Sequence, residues 1–242
     1  MVNFLSKDKY VFEDLIEITK ILRSDGGCPW DREQTHKSVR MNFVEEVFEA
    51  CEAIDNDNPE LLLEELGDVL AQVVFHAQIE NEIGRFDIND VADGVCKKFI
   101  ERHPHVFGEV SAETSDEVLK NWDEIKRREK KQTTHFSAMD SVARSLPALM
   151  RAEKLQSKAK KAGLPQKNVL SLSELIEEEL SKGEEMNIGN VLFLAVSLAR
   201  RLGVNPEQEL DLRNEEFLHN FKKLENEKGE LSQLLSENQD KL

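Results

Sequence analysis

The chain has 242 residues, 33% of them charged and 39% apolar, with only 11 Gly and 6 Pro. That balance excludes a disordered chain, and so few turn formers leave little room for many short strands. The formal net charge of −16 argues against gripping nucleic-acid backbones or anionic lipids. A small polyanion is still an acceptable ligand where bound cations neutralise its site.

Apolar residues recur at helical spacing along most of the chain and predict an all-α fold of antiparallel helices. A first helix is expected over about 11 to 23, with Phe12, Leu15, Ile16, Ile18 and Leu22 inward. Gly26, Gly27 and Pro29 interrupt it. The second, about 35 to 55, is read with Val44, Val47, Phe48, Cys51 and Ile54 as its apolar face. A turn at Asn56 to Pro59 follows, with Pro59 suited to the first position of the next helix. That third helix, about 60 to 82, carries Leu61, Leu62, Leu66, Val69, Leu70, Val73, Val74 and Ala77 around more than half its circumference and is expected to be central. Gly84 ends it, Asp87 or Asn89 can cap a helix at about 90 to 102, and His103-Pro104-His105 stops that one. A helix near 118 to 131 leads into Thr133 to Ser137, read as a linker. Beyond it come a basic helix from Ser145-Leu146-Pro147 to about Ala162, helices at about 170 to 181, 187 to 202 and 207 to 225, and a polar tail from Asn226 expected to fray.

Cys28, Cys51 and Cys96 lack any CxxC pairing, the pattern of reduced thiols in a cytoplasmic protein. The opening residues have no unbroken apolar run of the kind a signal peptide needs, and no stretch approaches a membrane span.

Two segments resemble each other. Glu65-Leu66-Gly67-Asp68-Val69-Leu70 lies on Asn187-Ile188-Gly189-Asn190-Val191-Leu192. Glu45-Glu46-Val47-Phe48-Glu49 lies on Glu177 to Ser181, and Lys97 to Arg102 on Glu215 to Asn220. The apolar positions persist in the second copy while Glu49, Glu65, Asp68, Lys98 and Arg102 become Ser181, Asn187, Asn190, Glu216 and Asn220. This divides the chain into an N-terminal catalytic repeat, 1–132, a linker and connecting helix, 133–165, and a degenerate structural or dimerisation repeat, 166–242.

In the first copy Glu46 and Glu49 stand three apart on one helix, and Glu65 and Asp68 three apart on the next. Each pair projects from one face. The short turn makes the two helices antiparallel and sets the pairs at matching levels. Four carboxylates meeting beside a Leu/Val stripe repel one another unless hard cations intervene, and oxygen-only ligands favour Mg²⁺ or Mn²⁺ over Zn²⁺. The opposing reading is a solvated acidic face, which 48 acidic residues make common. Gly67, inside the second pair, admits a close neighbour. Lys98 and Arg102 share a face and suit phosphate, or else serve ordinary partners such as Glu101. Trp30 can stack on a base or cap the core. His103 and His105 can touch phosphate or simply stop a helix. Cys28 has no His or acid partner that would make it a nucleophile.

These residues resemble the MazG family of nucleoside triphosphate pyrophosphohydrolases. The resemblance runs through Gly27-Cys28-Pro29-Trp30-Asp31 with Gln34-Thr35, Glu45 to Glu49, Glu64 to Asp68, Gly84-Arg85-Phe86-Asp87, Arg102 to Phe107 and Ser145 to Leu149. It is nearly continuous from about 11 to 155 and weaker to about 225. It implies two all-helical repeats, four-helix units completed across a homodimer, and Mg²⁺ on Glu46, Glu49, Glu65 and Asp68. Lys98 and Arg102 would contact phosphate, and Glu45 or Glu49 would activate water. Members with two repeats can carry intact motifs in the second; here that copy has lost them, so activity is expected in the first. Two other readings stay open: a non-catalytic helical dimer that binds nucleotides or a protein, and a pyrophosphatase selective for one modified or signalling nucleotide.

Overall fold

Proline lacks the amide hydrogen that the first helical turn leaves unused, and this chain opens helices with it. Pro29, Pro59 and Pro104 each stand in the first turn of a helix. The computed structural model describes residues 6–129 and 134–228, and all regular structure among them is helical. Packing divides the chain into two units, Met1–Trp122 and Asp123–Leu242.

The first unit contains α1 (Phe12–Arg23), α2 (Pro29–Glu33), α3 (Arg40–Asp55), α4 (Pro59–Glu82), α5 (Ile88–Arg102) and α6 (Pro104–Phe107), with α7 (Ser115–Glu129) spanning the division. Asn58 caps α4, its Oδ1 accepting from the Leu61 N–H at 3.1 Å. Asp87 caps α5, accepting from the Asn89 and Asp90 N–H groups, and Gly84 takes φ +69° in the turn between. A side chain on Gly27 would strike the Ile21 and Leu22 carbonyls, so only glycine lets the chain fold back on the end of α1.

α4 is the hub of this unit, packing against α1, α3 and α5. Val74 and Ala77 are sealed at its centre with Ile88, against Leu15, Ile16 and Val73. Arg23 locks the arrangement. Its guanidinium bonds both oxygens of Glu82 at 2.7 and 2.9 Å, reaches the Asp31 and Gln34 carbonyls and lies over the Phe75 ring.

Several expectations are corrected. α3 begins at Arg40 rather than near 35, because Thr35 and Ser38 close a turn, each hydroxyl accepting from the other's N–H at 3.2 and 2.9 Å. The buried residues of α3 are Ala50 and Ala53, whereas Val47, Phe48, Cys51 and Ile54 of the expected apolar face are exposed in the single chain. Leu63, Leu66 and Leu70 of α4 are likewise exposed.

The second unit holds α8 (His135–Asp140), α9 (Ala148–Lys161), α10 (Val169–Leu180), α11 (Ile188–Leu202) and α12 (Pro206–Lys228). α8 stands where a linker was expected, capped by Thr134, whose hydroxyl accepts from the Ser137 N–H at 3.0 Å. α9 does more than connect. It packs on α8, α11 and α12, with Gln156 donating to the Phe193 carbonyl at 2.9 Å and Glu153 paired with Arg200 at 3.3 Å. Asn226, where a frayed tail was expected to begin, is helical, and residues 229–242 lie outside the described residues. Among the described residues no helix is long and apolar enough to cross a membrane.

Candidate active site

The α3–α4 hairpin positions the acidic residues. Phe43, Glu46, Ala50 and Ala53 follow the three-and-four spacing of one helical stripe. The small side chains of Ala50 and Ala53, both buried, let the two backbones approach, so Glu46 is carried to the seam with α4. Glu65 meets it from the other side, only 8% exposed. One oxygen each from Glu46, Glu49 and Glu65 lies within 4.8 Å of the others, an arrangement able to hold a metal ion.

The electrostatics are those of crowded like charges. Burial raises the Glu46 carboxyl above the ordinary glutamate range, and the charges of Asp68, Glu49 and Glu65 push it further. Glu65 is raised for the same reasons, burial first, then Glu49, Glu64, Asp68 and Glu52. Asp68 therefore stands near enough to be felt by both, although its oxygen lies outside the group of three. Glu52 joins the field without having been singled out in the sequence. The signal was there, since it continues the Glu46, Glu49 spacing by one more step of three.

A comparison among buried carboxylates separates this site from the rest. Asp14 accepts from Lys7 and the Val11 N–H; Glu80 from His36 and Arg85; Glu179 from Lys182 and the Asn187 N–H, each at 2.8 Å. Each of these three is held below its ordinary range, chiefly by the first-named partner's hydrogen bond. Glu65 alone among the buried carboxylates of the described residues has no donor. A buried anion without a donor is costly, and a cation held by oxygen ligands could offset that cost here.

The other expected residues are placed less closely. Glu45 is exposed on α3 and outside the acidic group, about 100° round the helix from Glu46. Lys98 is exposed on α5 and makes no ion pair among the described residues. Arg102, one turn on, is half-buried and has a partner. Trp30 is 60% exposed at the start of α2, so it caps no core. His103 terminates α5, its Nδ1 2.6 Å from the Phe99 carbonyl, and its ring packs on His105 and Trp122. Gly67 admits a neighbour, but nothing in the chain lies within 4 Å of where its side chain would be.

A histidine pair went unread in the sequence. His36 and His76 stack with ring centroids 5.0 Å apart and Nδ1 atoms 2.7 Å apart, and His36 Nε2 lies 2.6 Å from Glu80. The partners are 40 residues apart in the chain, so periodicity could not join them. The only local hint was His76 and Glu80 sharing a face of α4 at a spacing of four.

The second copy has a different hairpin. α3 runs on from Glu49 to Asp55 and α4 begins at Pro59, well before Glu65. α10 stops at Leu180, so Ser181 is its C-cap; α11 starts at Ile188, so Asn187 is its N-cap, its side chain accepting from the Asn190 N–H. Positions that carry the acidic group within the first hairpin stand at the helix ends beside the turn of the second. The cores nevertheless correspond. The repeat register lays Val74 on Val196, and both are 1% exposed.

Comparison with known proteins agrees with this geometry. Residues 34–107 match the MazG nucleotide pyrophosphohydrolase domain, a span containing the four carboxylates with Lys98 and Arg102. The chain is 40% identical over 226 residues to a nucleoside triphosphate pyrophosphohydrolase of Escherichia coli (strain K12), covering 87% of this chain and 86% of that protein. It is 41% identical over 225 residues to the nucleoside triphosphate pyrophosphohydrolase/pyrophosphatase MazG of Thermotoga maritima, covering 89% and 86%. A nucleoside triphosphate pyrophosphohydrolase of Mycolicibacterium smegmatis is 36% identical over 210 residues, covering 82% and 64%. The unpartnered acidic hairpin and these relatives lead to one conclusion: the chain belongs to the MazG family of nucleotide pyrophosphohydrolases.

Proposed function

We propose that the α3–α4 hairpin is the centre at which this chain hydrolyses nucleoside triphosphates to monophosphate and pyrophosphate, with Mg²⁺ as the working cation and Mn²⁺ as a substitute. The observation that carries the reading is Glu65, buried among Glu46, Glu49, Asp68 and Glu52 with no donor of its own. Glu46, Glu49 and Glu65 would hold the cation, with Asp68 one turn further along α4. A bound divalent cation supplies neutralisation of the triphosphate and a more acidic water.

The chain's own residues have separable tasks. Glu49 is the exposed member of the group of three, so it orients the attacking water and accepts its proton. Glu45 shares that side of α3, one turn before Glu49, but it lies outside the group of three, so the task falls to Glu49. As the water oxygen bonds to the α-phosphorus, the bond to the bridging oxygen breaks and pyrophosphate leaves with the electron pair. Lys98 and Arg102 offer positive charge to the phosphates as negative charge builds on the leaving group. The second unit lacks these ligands and serves structure.

The exposed apolar residues of α3 and α4, Val47, Phe48, Leu66 and Leu70 among them, fit a second copy of the chain completing a four-helix unit. Sedimentation of the purified chain tests this; a monomer at all concentrations removes it.

Pyrophosphate release from a panel of triphosphates, with Mg²⁺, Mn²⁺ or a chelator, tests the activity. Glu49→Gln and Asp68→Asn chains with unchanged circular dichroism should lose it. Full activity in either folded variant refutes the assignment. Nucleotide binding without pyrophosphate release favours the non-catalytic reading, and activity confined to one nucleotide favours a selective pyrophosphatase.

A further inference from the structure

Beside the acidic hairpin the first unit has a second feature that the hydrolysis of a triphosphate does not by itself use. A cavity of about 430 Å³ opens between α3, α4 and the start of α5, bounded by Phe43, Val73, His76, Ala77, Phe86 and Val91, with His36 and Arg40 also in its wall. Its walls are almost wholly apolar, and two of them are aromatic. Its polar members are Arg40, His36 and His76, and the two histidines are ordered. His76 stacks on His36, is tilted against Phe43, and commits its Nδ1 to the Nδ1 of His36.

The hydrogen-bond bookkeeping leaves a single ring nitrogen open. Glu80 engages His36 through Nε2 and is itself paired with Arg85. His36 Nδ1 can then only donate to, or accept from, His76 Nδ1. In either state Nε2 is the one nitrogen of His76 with no partner among the described residues. A ring held by stacking on one side and by a three-member chain of hydrogen bonds on the other presents that nitrogen in a fixed direction.

The cavity also lies on the same face of the hairpin as the carboxylates. Phe43 is one turn from Glu46 on α3, about 4.5 Å along the axis. His76 is eight residues from Asp68 on α4, about 12 Å along the axis. Relative to Glu65 it is eleven residues on, within about 20° of three full turns. The two shorter offsets are of the order spanned by the ribose and base of a nucleotide together, measured from its α-phosphate. A mainly apolar slot with aromatic walls and a histidine nitrogen held in one direction is the arrangement that stacks a planar heterocycle and reads its edge.

We propose that this cavity receives the base of the substrate nucleotide, stacked against Phe43 and Phe86, with His76 Nε2 hydrogen-bonding to the edge of the base. The inference rests on the triphosphate reading of the acidic hairpin and adds to it where base selectivity is set. His36 and Glu80 are positioning residues here, acting through His76. The sequence conceals the site because its walls come from three elements and a turn.

The test compares a nucleoside triphosphate with methyl triphosphate, which has no base. In the full chain the ratio of kcat/KM for the two reports the contribution of the base alone. His76→Phe should lower that ratio by about tenfold, the order of one hydrogen bond, and Val91→Trp, which fills the slot from its exposed rim, by at least as much. His36→Ala should shift base preference in the direction of His76→Phe. A ratio unchanged from the parent chain in both His76→Phe and Val91→Trp, with circular dichroism intact, overturns the inference. A second readout needs no chemistry: the His76 ring proton resonances on addition of a nucleoside monophosphate. If the chain cleaves neither triphosphate, a shift in those resonances keeps the base site and sinks the hydrolytic reading. Resonances that do not move sink the base site, whatever the activity.

Discussion

Glu65 and Glu179 are both glutamates buried beside a helical hairpin, 8% and 7% exposed, yet their surroundings push them in opposite directions. Glu179 has Lys182 and the Asn187 N–H and is held below its ordinary range. Glu65 has burial and four other carboxylates and is pushed above it. The one in the second unit is a finished structural contact. Its opposite number is a buried carboxylate with no donor. Burial alone therefore says little about an acidic residue's purpose; the donor count around it says more.

The largest effects that sharpen this contrast should be catalytic. Glu49→Gln or Asp68→Asn is expected to reduce kcat for pyrophosphate release by about 10²-fold or more. Glu45→Gln should cost about tenfold or less, since it lies outside the group of three. Activity lost equally in all three variants would erase the distinction drawn between Glu45 and Glu49.

The cores should behave alike where the chemistry differs. Val74→Ala and Val196→Ala each remove a fully buried side chain at equivalent repeat positions. Each should destabilise its own unit by about 2–3 kcal/mol in denaturant titrations. A cost confined to one of them would break the equivalence.

Stability against pH separates the two glutamates directly. An ionised Glu65 destabilises the metal-free chain, and proton uptake as pH falls through its raised value relieves this. Glu65→Gln should thus stabilise that chain at neutral pH, with the gain fading in acid. Glu179, held low, contributes stability that is full above its ordinary value and lost as pH falls through the depressed one. Glu179→Gln should be destabilising at neutral pH, and that loss should also fade in acid. Thermal unfolding across pH reads both, and added Mg²⁺ should raise the midpoint of the parent chain but not of Glu65→Gln.

The smallest effect concerns the caps. Asn58 caps α4 and Asn187 caps α11, and replacing either by Ala should cost about 1 kcal/mol.

Much of this architecture is written locally in the chain. Pro59 and Asn58 announce the start of α4, Asp87 the start of α5, and the two acidic pairs at spacing three predict a shared face that the hairpin then closes. What escaped was nonlocal. On α3 the larger apolar residues Val47, Phe48 and Ile54 point outward, while the unassuming Ala50 and Ala53 make the contact with α4. Size and hydropathy favour the wrong face when a helix has two. α9 reads as a connector by its basic composition, but Gln156 and Glu153 tie it into the second unit. His36 and His76 meet only because α4 folds back on the turn before α3.

The turn that replaces the ligand positions of the second copy makes its loss of chemistry hard to reverse. Writing Glu back at 181 and 187 and Asp at 190 would set those acids on the C-cap of α10 and on the N-cap and first turn of α11, crowded against Glu179, which already takes the Asn187 N–H. On the proposed reading, a shorter hairpin as well as changed side chains would keep the second copy from carrying the chemistry.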